Sequence, residues 1–167
     1  MFFKINKHSV LFRILLAYFV YLSPIYFLAI SLNYQGEAVM AWDSYLEKNQ
    51  DRFVDELRAF ISIPSVSAAE EHFQDVVKAG EWVVSKLQSI GISNARSMKT
   101  QTHPVVYGDW LHAGDHKPTI LIYGHFDVQP ADPYDLWDSP PFEPLVKDGK
   151  IYGRGASDDK GNMLAPI

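Results

Sequence analysis

The 167-residue chain contains no cysteine. That absence excludes a disulfide framework, thiolate zinc sites, iron–sulfur ligation and a cysteine nucleophile, and it fits a reducing compartment. Excess positive charge is also missing: the formal net charge is −5, whereas a nucleic-acid binder carries a basic footprint, so no nucleic-acid partner is expected. There is no internal repeat, no low-complexity tract and no Walker-type phosphate loop. What remains is 47% hydrophobic and 21% charged, a globular composition at a length that suits one domain.

Charge of either sign is absent from Ile14 to Gly36, a run of 23 residues. Its apolar heart, Ile14–Leu32, would span about 28 Å as a helix, close to the hydrocarbon thickness of a bilayer. Lys4, Lys7 and Arg13 precede it, which would leave the N-terminus in the cytoplasm. Three readings compete for residues 1–39: a transmembrane anchor, a signal peptide cut near Val39-Met40-Ala41, or a stretch upstream of a natural start at Met40. The abrupt change in character at Met40 favours the third, which makes residues 40–167 the folded domain and its location cytoplasmic. A membrane-anchored location follows only if residues 14–32 are expressed.

Beyond that boundary the patterns are regular. Phe53, Leu57, Phe60 and Ile61 form one face of a helix predicted over residues 43–61, with Asp43 as N-cap and Pro64 as a stop. After the connector IPSVSAAEE, a second helix is predicted from about Ala69 to Ile90, closed by Gly91. Pro104–Trp110 and Pro118–Tyr123 read as strands, the latter apolar throughout and expected to be covered on both faces. Asp148-Gly149 between short apolar segments predicts a hairpin. Helices followed by strands give an α/β layered domain. Trp137 and Phe142 could serve a binding module, but a loop folded back over the sheet is the preferred account of them.

Two clusters carry chemistry. His125 follows the strand at Pro118–Tyr123, and in an open α/β sheet the carboxyl ends of strands are where ligands bind. Asp127, two residues on, shares its direction in extended backbone and can accept the second imidazole N–H, leaving the other nitrogen as a metal ligand. Alone, the short His-x-Asp motif is better accounted for by an ordinary strand-end hydrogen bond. The second cluster is the loop Gly153–Gly161, with the adjacent carboxylates of Asp158 and Asp159. Like charges so close call for exposure or a cation. A solvated surface loop and a divalent-metal loop explain it about equally.

Together the runs YGHFDVQP, WDSPPFEP and DGKIYGRGASDDKGN, with His125 and Asp158 33 residues apart, resemble the zinc-dependent metallopeptidases of family M20. The likeness is strongest to the branch of carnosinase and non-specific dipeptidases, and it runs from about Trp42 to the end, including the ISIPSVSA connector. It implies the N-terminal part of a layered zinc-peptidase catalytic domain, with a mixed sheet, flanking helices and no lid domain. It implies that His125 ligates a metal, that Asp127 orients His125 and counts as catalytic, and that Asp158 bridges two metals, with a cis peptide between Asp158 and Asp159. The cofactor implied is zinc, two ions in a complete enzyme, with manganese or cobalt as substitutes. The reaction implied is metal-dependent hydrolysis of the peptide bond of dipeptides or small peptides, in an enzyme that is a homodimer. The alternatives are a deacylase of N-acyl amino acids and a non-catalytic truncated product, membrane-tethered if residues 14–32 are present. The glutamate general base and further ligands of the family fall after the bridging aspartate at positions beyond Ile167, so the chain is expected to be an incomplete, inactive fragment.

Overall fold

The computed structural model describes the backbone of residues 2–6 and 24–167, and side chains from residue 43 onward. In chain order the elements are β1 (Phe2–Asn6), α1 (Pro24–Ile61), a 3-10 turn (Glu70–His72), α2 (Phe73–Ser89), β2 (Ser93–Met98), β3 (Val105–Asp109), β4 (Thr119–Tyr123), a second 3-10 turn (Tyr134–Leu136), the hairpin strands β5 (Leu145–Lys147) and β6 (Lys150–Tyr152), and the short α3 (Lys160–Leu164). The chain divides into two compact units, one of Met1–Asn6 with Asp55–Ile167 and one of Lys7–Val54. The candidate site lies wholly in the first.

Helix α1 is longer than its apolar face predicted. It starts at Pro24, a residue suited to a first helical turn, and runs through Asp43, which is therefore an interior residue and not a cap. No proline interrupts Ile25–Ile61, and one interior glycine, Gly36, costs only about 1 kcal/mol. The stop falls where expected, just before Pro64. Of the apolar run Ile14–Leu32, residues 14–23 lie outside the described residues. Among the described residues no helix is long and apolar enough to cross a membrane, so the expected span is unsupported there.

In the first unit the core joins the C-terminal turn of α1 to α2 and the sheet. Phe60, Ile63, Val76, Ala79, Val83, Leu87, Val106, Phe126 and Met163 form one buried cluster, and Phe60 stacks on Trp82 at 4.3 Å between ring centroids. Helix α2 buries Val76, Ala79, Gly80, Val83 and Leu87, the i, i+3, i+4 rhythm of an amphipathic helix. Its expected first turn is instead the 3-10 turn, and Phe73 and Ile90 are exposed.

The sheet is mixed, in the order β2-β3-β1-β4. β1 lies parallel to β3 and antiparallel to β4, and β2 is antiparallel to β3. β4 forms at the predicted residues but stands at the sheet edge. Ile120 and Ile122 turn inward, while Leu121 and Tyr123 are 62% and 68% exposed. The expectation of cover on both faces fails because no described element lies over the Leu121–Tyr123 face. β2, SNARSM, has no apolar alternation to announce it. The Asp148-Gly149 turn joins β5 to β6 as predicted, with positive φ at both residues, as a tight hairpin turn of this hand requires.

Candidate metal centre

Three segments distant in sequence build the site. The first is the stretch after β4. Gly124, Phe126 and Val128 are buried, whereas His125 and Asp127 between them are partly open. The period-two alternation of extended chain therefore puts both polar side chains on one face and anchors them through Phe126 and Val128.

The second segment is the connector. Val66 forms a parallel bridge with Val128, and the Val128 N–H donates to the Ser65 carbonyl at 2.9 Å. Ser65, fully buried, donates its hydroxyl to the Phe126 carbonyl at 2.6 Å. Ser67 donates its hydroxyl to Asp127 Oδ2, also at 2.6 Å.

The third segment is the loop Gly153–Gly161. Its glycines are dictated by close approach: a Cβ at Gly161 would collide with the Ala156 carbonyl, and one at Gly155, whose φ is 87°, would meet Val128. The loop is tied down by Lys160, which is fully buried and donates to the Phe60 and Ile63 carbonyls at 2.9 and 2.6 Å. Those carbonyls belong to the last turn of α1 and the residues just after it, where the helix leaves acceptors without intrahelical partners. Burial pulls the Lys160 amine down to about 7, against the opposing charges of Asp75 and Asp127. The peptide between Asp158 and Asp159 is cis.

His125 sits where the three meet. Its Nδ1 lies 3.1 Å from the Asp127 carbonyl oxygen and 3.3 Å from Asp127 Oδ1. Both are acceptors, so Nδ1 carries the proton. Its Nε2 then presents a lone pair, and it stands 3.0 Å from Asp158 Oδ1. A lone pair and a carboxylate oxygen at that distance repel unless a proton or a metal cation lies between them. The His125 backbone N–H donates to Asp159 Oδ2 at 3.1 Å. Burial disfavours the imidazolium, but the Asp127 hydrogen bond and the charges of Asp127, Asp159 and Asp158 outweigh it and hold His125 above its ordinary range.

Donor atoms of His125, Asp158 and Asp159 lie within 4.8 Å of one another, the one such group among the described residues. Nitrogen and oxygen donors without thiolate suit zinc, and also manganese. The Asp158 side chain is 84% exposed and free to turn toward an ion. The structure thus brings together all three residues singled out in the sequence, His125, Asp127 and Asp158. Sequence reading gave no role in the site to two further participants. Asp159 faces the site and braces the His125 backbone, and the adjacent acidic pair was the available signal. Ser67 reaches Asp127 from a connector that offered only its position in a family-like run.

The sequence profile of the family described as Peptidase family M20/M25/M40 matches residues 121–167, which hold every one of these ligand candidates. The resemblance read from the motifs is borne out as a likeness: over part of its length the chain is similar to M20 peptidases, and its relatives include dipeptidases. It is 37% identical over 119 residues to the cysteinylglycine-S-conjugate dipeptidase of Corynebacterium striatum, covering 71% of this chain and 26% of that protein. It is 37% identical over 132 residues to the Cys-Gly metallodipeptidase dug1 of Schizosaccharomyces pombe, covering 73% and 28%. The crystal structure of human carnosine dipeptidase 1 superposes with a TM-score of 0.59 at 29% identity, covering 73% of this chain and 28% of that one. The fold accordingly resembles part of that dipeptidase structure, and the chain spans about a quarter of the length of the curated relatives it matches.

Proposed function

We propose that this chain carries part of the metal centre of a peptidase that hydrolyses the peptide bond of dipeptides or other small peptides. The observation that carries the reading is His125, whose ring is held by Asp127 on one side and aims Nε2 at Asp158 on the other. His125 and Asp158 would hold the metal, with Asp158 shared between two zinc ions in the complete centre, and Asp127 would orient His125. When bound, the metal supplies Lewis acidity toward a substrate carbonyl and toward water. Asp159 fixes the backbone from which His125 projects, and Lys160 keeps the acidic loop against the end of α1.

Two protein donors fall short of the four of a closed zinc site. A complete centre of this kind would need a general base and further ligands besides His125 and Asp158. Cysteinylglycine and similar dipeptides, the substrates named for the relatives, are the first to try. The test is twofold. The 167-residue chain should bind cobalt or zinc weakly, and His125→Ala should abolish that binding. A protein that includes this sequence and the full length of its relatives should hydrolyse cysteinylglycine and lose metal-dependent turnover on the same substitution. Metal content and turnover retained by His125→Ala would refute the assignment.

A further inference from the structure

The proposed centre has a part that the relay from His125 to Asp127 does not explain. A carboxylate that is partly open to water can rotate and trade its hydrogen bonds. Here Asp127 does not stand alone: its Oδ2 receives the Ser67 hydroxyl at 2.6 Å, within the range for a charge-assisted O–H···O bond. An ionised carboxylate only accepts, so the Ser67 proton must point at it. With Oδ2 fixed, Oδ1 is left toward His125 Nδ1.

Ser67 is itself held from several directions. Its carbonyl accepts from His103 Nε2 at 3.0 Å. Its neighbour Val66 bridges Val128, and Ser65 exchanges bonds with Phe126 and Val128. The connector is thus keyed, by backbone and by the buried Ser65, to the same four residues that carry His125 and Asp127. Ser65 and Ser67 divide the work: Ser65 binds backbone inside the core, and Ser67 binds the carboxylate on the open face.

We propose that Ser67 is a positioning residue of the metal centre, acting through Asp127 to fix the ring of His125. The proposal rests on the metallopeptidase reading for its purpose, but its geometry can be tested without metal. Outer partners of this kind typically change metal affinity by about 10- to 100-fold when removed.

The experiment uses the 167-residue chain with 15N-labelled histidine at pH 9, where imidazoles are neutral, and follows the His125 Nδ1 and Nε2 shifts in wild type, Ser67→Ala, Ser67→Thr, Asp127→Ala and the Ser67→Ala/Asp127→Ala double variant. Ser67→Ala should move the His125 shifts in the direction that Asp127→Ala moves them. Ser67→Thr should restore the wild-type pattern, and the double variant should match Asp127→Ala alone. Thermal midpoints of Ser67→Ala and wild type should agree within a few degrees, since the bonds of Ser65 remain. Cobalt titration adds a second reading, with affinity about 10-fold or more weaker in Ser67→Ala. The proposal is overturned if Ser67→Ala leaves the shifts unchanged, if it moves them equally when Asp127 is absent, or if Asp127→Ala itself moves nothing. A wild-type chain that binds no cobalt would count against the metal reading, while the shifts would still decide the role of Ser67.

Discussion

At the scale of single residues, His125 is the group on which protons and the proposed metal would compete. In the metal-free chain its protonated form gains carboxylate partners on folding, so its pKa is raised. The stability it contributes is complete below the ordinary imidazole pKa of about 6.5 and fades as pH climbs through the raised value. Metal binding has the opposite sign, because the ligand must be neutral. Cobalt affinity should therefore rise with pH through that raised pKa and level off above it, which a series of titrations between pH 5.5 and 8.5 would check. Replacing His125 with alanine should leave the thermal midpoint within a few degrees while removing the dependence, as the ring is part-exposed and not in the core. His125, Asp127 and Asp158 were singled out because two clusters 33 residues apart carried a family resemblance together; residue type and spacing alone left an ordinary hydrogen bond and a solvated loop open for them. Ser67 was not, because a serine between apolar residues has the same appearance whether it faces water or a carboxylate.

Among elements, the joint between α1 and α3 is the one most exposed to failure. Lys160 fills it alone, bonding two carbonyls while its stem packs in the core. Lys160→Met keeps most of the volume but removes one donor from each of the Phe60 and Ile63 carbonyls, which keep the backbone N–H groups of Ile63 and Ser65, so the cost should be roughly 0.5–1.5 kcal/mol for each bond lost; urea unfolding would measure it. The same lysine sets a pH dependence. The unfolded chain keeps the proton up to about 10.5 and the folded chain only up to about 7, so between those values unfolding takes up a proton and stability should rise with pH. In Lys160→Met that part of the slope should vanish. Gly161→Ala tests the loop itself: the added methyl has no room beside the Ala156 carbonyl, and loss of the loop geometry should appear as lost cobalt binding together with a lowered denaturation midpoint. Helix α2 and the β5–β6 hairpin could be read in advance because their signals are local, a 3.6-residue period and an Asp-Gly turn. The start of α1 and the whole of β2 could not. The apolar face of α1 ends long before its hydrogen bonding does, and β2 is held by pairing with β3, which leaves no mark on its own polar sequence.

For the whole molecule, the determining feature is an open sheet edge. Among the described strands β4 is the last of its sheet, beside the exposed Leu121 and Tyr123, a combination that can template association between copies. The isolated chain should self-associate with rising concentration, and Leu121→Glu together with Tyr123→Lys should reduce this without altering the thermal midpoint by more than about 1 kcal/mol equivalent, as exposed substitutions rarely do. Sedimentation velocity at several concentrations would read the first effect. The apolar run of β4 predicted burial on both faces, and the run itself was read correctly; what covers a face depends on polypeptide that a local pattern does not contain.

The bonds from Lys160 to the end of α1 join residues 100 and 97 positions apart, and that from Ser65 to Phe126 joins residues 61 apart. Each closes a long loop whose entropic cost grows slowly with length but must be met before the contact gives anything back. A ribosome that has released His125 and Asp127 has not yet supplied Asp158, and until Lys160 emerges nothing fastens the acidic loop in place. A nascent chain therefore exposes His125 and Asp127 before Asp158 and Lys160 have emerged. Under the proposed reading, an ion held by His125 and Asp158 together could be captured only once that loop has been made and fastened.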